Sequence, residues 1–319
     1  MPELDGFLAS INAEPDADAP RLVFADWLDD HGDARGELVR LQVRRARLPR
    51  GDPGLLWVTL DRTERELLDR HAVGWLGPLY RPAISWEFVR GLLHVEVEAA
   101  AFLAEPVETD EARRAFAWVE RLRFLGLTQS LAVALAHFPH LVHLRDLDLG
   151  ENPIGTEGIT ELATTQFLAP VESLDLHCCR IGPGGAAALG MASSQAQRLT
   201  RLVLWDNLIG DSGAAQLAAS SCVAGVNDLD LTSNDIGDEG AQALADSPHL
   251  TNLRVLDLRS NQIGDRGAEA LAYSPNLTGL RLLQLHNNEI GEKGVEVLRQ
   301  AFGNRVAVEP PRPCGGNWL

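Results

Sequence analysis

Residues Leu253–Ala272 read LRVLDLRSNQIGDRGAEALA, and this stretch decides the fold. Its Leu-x-x-Leu-x-Leu segment places Leu256 and Leu258 on one face of a short strand. Asn261 then turns the chain, and a helix of small residues follows. Because one strand and one helix of this length cannot bury their own apolar side, copies must stack to make a core. The anchor asparagines recur 27 residues apart, at Asn207, Asn234, Asn261 and Asn288.

The same pattern predicts six regular repeats and two degenerate ones. The degenerate strands are Leu92-x-x-Val95-x-Val97 and Val119-x-x-Leu122-x-Phe124, which start 27 residues apart. From Val119 onward the strand starts advance by 25, 27, 28, 27, 27 and 27 residues. The regular strands open at Leu144, Val171, Leu199, Val226, Leu253 and Leu280.

These residues resemble the leucine-rich repeat family, in its long ribonuclease-inhibitor-like subtype with an α-helix in every unit. The shared pattern is Leu-x-x-Leu-x-Leu-x-x-Asn-x-Ile-Gly-x-x-Gly-Ala-x-x-Leu-Ala, and it covers most of residues 90–300. The resemblance implies an α/β horseshoe with a parallel sheet on the concave side and α-helices on the convex side. It also implies that any binding function lies on the concave face.

A small all-α domain is expected before the repeats. Apolar residues at helical spacing predict three helices within residues 1–50, the second ending near His31-Gly32-Asp33. The stretch Pro20–Gln42, PRLVFADWLDDHGDARGELVRLQ, resembles a bacterial domain abundant in planctomycetes, the repeat-companion domain. That family is named for its position beside repeat arrays, and the resemblance implies no chemistry.

The expected domain division has four parts. Residues 1–50 form the helical domain, and 51–87 a linker with a capping helix near Asp61–Trp75. Residues 88–308 are the repeats, two degenerate and six regular, and 309–319 a Pro/Gly-rich tail. The tail acts as a stop, with Trp318 or Leu319 packing on the last repeat. The capping helix covers an end whose apolar faces and strand edges would otherwise meet water.

Composition and charge narrow the classes of function. The formal net charge is -17 and the pI about 4.9, which disfavour nucleic acid and anionic membranes as partners. The start MPELDGFLAS lacks the charge and apolar pattern of a signal peptide, and no apolar run has membrane-helix length. Four scattered cysteines do not make a disulfide framework. We therefore expect a cytoplasmic protein.

Most residues that recur from repeat to repeat have structural explanations. The asparagines are expected to bond backbone groups where the strand ends, and Cys179 occupies the same position in the second regular repeat. The spaced glycines allow tight turns and close packing between helix and sheet. No phosphate-binding glycine motif is present, so we expect no nucleotide site and no cofactor.

Aspartate recurs at the outward position between the two core leucines of each strand. That position holds Arg123, Asp148, Asp175, Val203, Asp230, Asp257 and Gln284. The sites are expected to be exposed, so that solvent keeps the repulsion between like charges modest. Two interpretations are equally favoured: repeat consensus without function, and a stripe that docks a basic protein surface.

The next outward position gives the sharpest departure from the repeat. It holds Leu125, Gly150, His177, Trp205, Thr232, Arg259 and His286. An exposed Trp205 beside His177 and Arg201 is typical of an interface anchor, while packing against neighbours within a monomer is the alternative. The predicted partner-binding residues are Asp148, Asp175, His177, Arg201, Trp205, Asp230, Asp257, Arg259 and His286.

No metal site or catalytic group is predicted. In His177-Cys178-Cys179, Cys179 should point into the core and His177 to solvent, so the two cannot share one ion. The aspartates lie on a regular sheet without an enclosed cleft to shift their pKa values. The Asp29–Asp33 stretch ends one helix and caps the next. A cluster of arginines is predicted at the C-terminus of the third helix, where the helix dipole favours cations, and we prefer this structural explanation to a nucleic-acid site. The cluster contains Arg40, Arg44, Arg45, Arg47 and Arg50.

The sequence thus favours a non-catalytic scaffold or adaptor that recognises a protein partner on the concave face. Two alternatives stay open. The N-terminal helical domain can carry an enzymatic or effector activity that the repeats direct, or the array can be a structural, self-associating unit. The identity of the partner and the oligomeric state have no signature in the sequence.

Overall fold

A computed structural model describes residues 2–48, 54–105, 109–138, 143–191 and 198–308. Two compact units are present: residues 1–123 with 139–144, and residues 124–138 with 145–319. We describe each unit by itself. Arg50, the break at 51–53, and Cys314, Trp318 and Leu319 in the tail lie outside the described residues, so the expectations about them stay predictions.

The first unit begins with four helices, as the sequence predicted. They are α1 (Pro2–Ala13), α2 (Ala19–Asp30), α3 (Arg35–Ala46) and α4 (Leu55–Leu76). The chain leaves α2 at His31, and Gly32 has a φ of +68°, which a glycine adopts without steric cost. Asp33 then accepts a hydrogen bond from Arg35 N at 3.0 Å. The predicted end of α2 is confirmed, whereas the N-cap residue of α3 is Ala34, which makes no side-chain cap hydrogen bond.

A β-hairpin follows the helices, and the sequence did not predict its first strand. β1 (Ala83–Val89) pairs antiparallel with β2 (Leu92–Glu98), from Val89 opposite Leu92 to Ala83 opposite Val97. The tight turn uses Arg90 and Gly91, with φ of +49° and +94°. One antiparallel pair thus precedes the predicted parallel sheet. After β2 come α5 (Ala99–Ala104), α6 (Asp110–Phe116) and β3 (Val119–Leu125), which extends past the unit boundary.

The core of the first unit is aromatic at its centre. Phe24 of α2 stacks on Trp118, with ring centroids 5.2 Å apart, and both side chains are fully buried. Phe7 stacks on Phe24 from the other side at 5.4 Å. The helical spacing of apolar residues also predicts Val23 and Val73 on the buried faces of α2 and α4, but both are exposed.

The second unit repeats one strand and one helix. After α7 (Gln129–Ala136), the strands and helices are β4 (Asp146–Asp148), α8 (Gly155–Thr164), β5 (Ser173–Asp175), α9 (Gly182–Met191), β6 (Arg201–Val203), α10 (Gly210–Ala218), β7 (Asp228–Asp230), α11 (Asp238–Asp246), β8 (Val255–Asp257), α12 (Asp265–Ala272), β9 (Leu282–Gln284), α13 (Glu292–Phe302) and β10 (Val306–Ala307). From β4 to β10 each strand pairs parallel with the next. The predicted α/β repeat fold, preceded by a helical region, is confirmed.

Buried asparagines hold consecutive repeats together. Asn234 is fully buried, and its Oδ1 accepts hydrogen bonds from Asn207 N and Ile209 N of the preceding repeat. Its Nδ2 donates to Leu204 O at 2.9 Å and to Thr232 O at 3.0 Å. The side chain thereby satisfies backbone groups that no strand or helix bonds. Asn152, Asn207, Asn261 and Asn288 make the same kind of backbone hydrogen bond, so the structural interpretation is confirmed.

A second periodic contact was not predicted. Three aspartates in the first turn of a helix, here named the cap aspartates, bond two glycine amides of the following repeat. The pairs are Asp211 with Gly237 N and Gly240 N, Asp238 with Gly264 N and Gly267 N, and Asp265 with Gly291 N and Gly294 N, at 2.7 to 3.0 Å. An aspartate of one repeat therefore caps the helix of the next.

The turn before each helix takes two forms, according to whether the preceding repeat supplies a cap aspartate. Where it does, Gly237 and its equivalents have extended backbone, with a φ of -100° at Gly237. Where the preceding repeat has Thr156 or Pro183 instead, the glycine is left-handed, with φ of +64° at Gly182 and +62° at Gly210. The Gly210 amide then bonds Asn234 O of the next repeat at 2.8 Å.

Candidate functional site

The open face of the repeat sheet carries the predicted column of aspartates. Leu147, Leu174, Leu229 and Leu256 point into the core, so their strand neighbours point to the opposite face. Strand pairing aligns Asp148, Asp175, Val203, Asp230, Asp257 and Gln284 in one row. We name Asp148, Asp175, Asp230 and Asp257 the strand aspartates.

Every strand aspartate has a local structural task. Its Oδ1 accepts a hydrogen bond from the backbone N–H two residues further on, at Gly150, His177, Thr232 and Arg259, over 2.9 to 3.1 Å. Such bonds satisfy an amide where the short strand ends. This explains why the repeat favours aspartate at this position.

Asp257 differs from the exposed carboxylate that the sequence suggested. Only 4% of the residue is accessible, because neighbouring side chains cover it. Arg259 Nε donates to both carboxylate oxygens at 2.9 Å, and Gln284 Nε2 donates to Oδ2 at 3.0 Å. Asp257 and Arg259 therefore satisfy each other within one strand.

Asp230 is the strand aspartate with the least compensation. Burial raises its pKa above the ordinary value for aspartate, and the charge of Asp257 adds to the effect. The Thr232 hydroxyl, the hydrogen bond from Thr232 N and the charge of Arg259 lower the pKa and partly offset these effects. The expectation of an unshifted carboxyl on this face is wrong here, because neighbouring side chains exclude part of the water.

Trp205 and His177 form a stacked pair on the open face. Their ring centroids lie 5.0 Å apart and the planes differ by 5°. Trp205 is 37% exposed, whereas the His177 side chain is only 13% exposed, so His177 does not point to solvent as predicted. It lies over Gly150, where an added Cβ would come within 2.1 Å of its Cε1. The absence of a side chain at Gly150 makes room for the imidazole.

Carboxylates surround the His177 ring. Nδ1 is 2.7 Å from Asp175 Oδ1, and Nε2 is 3.5 Å from Glu151 Oε1. Burial disfavours the charged imidazolium, but the hydrogen bond and charge of Asp175, with Glu151 and Asp148, together raise the pKa of His177. The raised pKa favours the imidazolium form of the ring that stacks on the Trp205 indole.

The remaining predicted residues occupy more distant parts of the face. Arg201, on the same strand as Trp205, is exposed and lies 3.5 Å from Asp228. His286 follows β9, three strands beyond β6, and is half-buried. The structure therefore brings together His177, Trp205 and Asp175, and leaves Arg201 and His286 at the margins.

One group of side chains on this face has metal-ligating types. Asp148, Asp175 and His177 each offer an atom, and these atoms lie within 4.8 Å of one another. Two carboxylates and an imidazole suit a divalent cation, although the ion would have to replace the hydrogen bond between His177 and Asp175. The three residues come from adjacent repeats, so the spacing of Cys and His residues along the chain does not reveal the cluster.

The cysteines beside His177 do not join that group. Cys179 is fully buried, and its Sγ donates to Leu149 O at 3.0 Å in the position of the repeat asparagine. Burial raises its pKa to about 12, and that of Cys178 to about 11. Neither thiol is poised to ionise as a ligand or nucleophile near neutral pH.

The arginines at the end of α3 mostly have partners within the first unit. Arg40 pairs with Asp26 and Asp29, Arg45 with Glu64 at 2.5 Å, and Arg47 with Asp18 at 2.7 Å. Arg44 is exposed. These ion pairs within one unit explain the basic helix end without a nucleic-acid partner.

Sequence reasoning missed three residues that shape the face. Gly150 admits the His177 ring, Glu151 flanks it, and Thr232 borders Trp205 on the following strand. The available signal was Gly150 directly before His177 in the same outward column. A residue without a side chain on one strand leaves space for a ring from the next strand.

Comparisons with known proteins agree with the repeat architecture. Residues 140–163, 169–190, 226–245 and 249–272 match the leucine-rich repeat family, so these segments are leucine-rich repeats. Internalin C2 from Listeria monocytogenes is similar at 21% identity, over 61% of this chain and 75% of its own, with a TM-score of 0.40. Human trophoblast glycoprotein, also named Wnt-activated inhibitory factor 1, is similar at 20% identity over 68% of this chain and 76% of its own, with a TM-score of 0.45.

No protein of curated function matches the sequence. Among the helices of the described residues, none combines the length and the apolar character required to cross a bilayer.

Proposed function

We propose that the protein is a non-catalytic scaffold or adaptor that binds a protein partner on the open face of its repeat sheet. The observation that carries the proposal is the Trp205 ring, exposed beside a row of carboxylates on a chain with a net charge of -17. Large aromatic side chains on an accessible face are typical interface anchors. Leucine-rich repeat proteins generally mediate protein–protein interaction, which supports the same function.

The proposed partner has a basic surface. Asp148, Asp175 and Asp230 are partly accessible on this face, and Glu151 extends beyond them. Association with an acidic surface is steered by complementary charge and weakens as salt screens it. Binding is therefore expected to fall as NaCl rises from about 0.05 to about 0.5 M, where the screening length drops severalfold.

We also propose that the array belongs to the ribonuclease-inhibitor-like subtype and that residues 1–50 are the companion domain. The presence of an α-helix of 8 to 11 residues in each regular repeat supports the subtype. The match of Pro20–Gln42 to the companion pattern supports the second assignment.

The test is affinity capture from lysate of the source organism with three full-length baits. These are wild type, the double variant Trp205→Ala/Asp230→Ala, and Tyr273→Ala. Tyr273 is the matched control, since it is an aromatic residue 73% exposed at the end of α12 rather than on the strands.

The expected result is a partner retained by wild type and by Tyr273→Ala but lost from the double variant, with all three melting at similar temperatures. Equal recovery by the wild type and the double variant would remove the open face as the binding surface. Loss from Tyr273→Ala alone would place binding on the helical side instead.

A further inference from the structure

The indole of Trp205 is partly exposed, and one of its faces stacks on His177, which follows the preceding strand β5. The opposite face is therefore turned toward the following strand β7. Among the described residues, the cations found over aromatic rings are Arg35 over Trp118 and Arg305 over Phe302. An accessible indole face without a cation is the strongest aromatic site for binding one.

Asp230 ends β7 and Thr232 follows it, and both lie next to this face. Asp230 Oδ1 accepts the Thr232 amide at 2.9 Å, and the buried Thr232 hydroxyl also lowers the Asp230 pKa. Within the described part of the chain no arginine or lysine forms an ion pair with this carboxylate. The second carboxylate oxygen can therefore accept hydrogen bonds from a cation beside the ring.

Strand register puts these groups within reach of one side chain. Val203 pairs with Asp230, and Asp206 N donates to Thr232 O at 3.0 Å, so Trp205 lies beside Thr232 and diagonal to Asp230. With adjacent strands about 4.8 Å apart, a diagonal pair on one face is separated by about 8 Å at Cβ. A planar group stacked on the indole can therefore touch the carboxylate with its edge.

We propose that Trp205 and Asp230 form a subsite for an arginine side chain of the protein partner. The guanidinium stacks on the indole face opposite His177, and two of its N–H groups donate to the Asp230 carboxylate. This inference rests on the proposed function and specifies the chemistry that the same face recognises.

Arginine fits this subsite better than lysine. A guanidinium is planar and delocalised, so it can stack and form a two-point hydrogen bond at once, whereas an ammonium is a compact, strongly hydrated charge. The burial that raises the Asp230 pKa also lowers the local dielectric, which strengthens attraction to an entering cation.

Two other carboxylates of the row are already engaged. Asp257 is bonded by Arg259 and Gln284, and Asp175 by the His177 ring. Of these three, Asp230 is the position where an arriving cation gains most. It is also the one that lies beside Trp205 without an arginine or lysine in an ion pair with it, among the described residues.

The test uses the full chain labelled with 5-fluorotryptophan, whose Trp205 fluorine signal is identified by its loss in Trp205→Phe. The probes are N-acetyl-arginine amide, N-acetyl-lysine amide and N-acetyl-citrulline amide, the last being a neutral analogue of arginine. The expected result is a saturable shift of the Trp205 signal with the arginine probe. The lysine probe should bind at least about fivefold more weakly, and the citrulline probe should give no saturation.

Two variants of similar size separate a local contact from general charge attraction. Asp230→Asn should weaken the arginine probe by at least about fivefold, because it removes the charged acceptor beside the ring. Asp148→Asn removes the same charge from the same row three strands away and should change binding by less than about twofold. Binding to wild type should also weaken as the pH falls through the raised pKa of Asp230, because protonation removes the acceptor.

A citrulline response equal to that of arginine, or equal effects of Asp230→Asn and Asp148→Asn, would overturn the arginine subsite. If these occur while affinity capture still yields a partner that depends on Trp205, the proposed function stands and only its chemistry is wrong. If the arginine response is as expected but capture yields equal recovery from both baits, the subsite stands and the partner-binding role fails.

Discussion

Two series of aspartates recur in the same repeats, and they form different hydrogen bonds. The cap aspartates, Asp211, Asp238 and Asp265, each bond two glycine amides of the next repeat. The strand aspartates each bond one amide of their own repeat and face one another across adjacent strands. Both series recur at the repeat period, so periodicity alone does not separate structure from function. The location of the bonded amides does, because a cap aspartate bonds amides of the next repeat and a strand aspartate bonds an amide of its own.

The largest difference between the two series should appear on truncation. Asp238→Ala removes the acceptor of two amides, Gly264 N and Gly267 N, and should lower the free energy of unfolding by about 2 kcal/mol. Asp230→Ala removes one hydrogen bond and relieves an unfavourable burial, so the loss should stay below about 1 kcal/mol. Urea denaturation followed by circular dichroism measures both. Equal losses would show that the two series are energetically alike.

A smaller effect tests the link between cap aspartates and backbone shape. Gly210 follows a repeat without a cap aspartate and has a φ of +62°, so Gly210→Ala should cost about 1–2 kcal/mol. Gly237 is extended, and an added Cβ would meet Asp211 Oδ2 at 3.3 Å. Gly237→Ala should therefore cost less than about 1 kcal/mol. The melting temperatures of the two variants measure this difference. A larger loss for Gly237→Ala than for Gly210→Ala would contradict the link between cap aspartates and turn conformation.

The smallest effect concerns charge alone. The folded-state pKa of Asp230 is raised, so the folded protein binds this proton more tightly than the unfolded chain does. The charged form is thus destabilising above the folded pKa, and that penalty disappears as the pH falls to the unfolded value near ~3.9.

Asp230→Asn keeps the acceptor for Thr232 N and removes the charge, so it should stabilise the protein at pH 7 by about 0.5 kcal/mol. The gain should vanish near pH ~4. Thermal melts of both proteins across this pH range provide the measurement. A gain that persists in acid would have to come from something other than ionisation.

The sequence was a good guide wherever a residue acts through its own repeat. The leucine register, the asparagine positions and the buried role of Cys179 follow from one strand-and-turn unit and were predicted. The sequence was a poor guide where a residue acts on the next repeat. Asp211 looks like an ordinary first-turn residue until Gly237 and Gly240 of the following repeat are placed against it.

The candidate site shows the same limit. The two outward columns and the position of Trp205 were predictable, because alternation along a strand fixes the face of each residue. The burial of His177 depends on the missing side chain of Gly150, and that of Asp257 on Arg259 and Gln284. These are contacts between side chains, which spacing does not encode. The hairpin strand β1 was missed because it precedes the first recognisable repeat.

The forward direction of the cap contacts bears on how such an array can lengthen by gene duplication. The 27 residues Gly237–Ile263 contain both the amides that receive a carboxylate from behind and Asp238, which serves the unit ahead. A tandem copy of this segment could form the aspartate–glycine hydrogen bonds with both the preceding and the following repeat. A copy of Gly182–Ile209 would arrive with Pro183 in place of the acceptor and would have to rely on the left-handed turn at its new junction. The carboxyl-terminal part of the array is thus the part from which further repeats can be grown without compensating mutations.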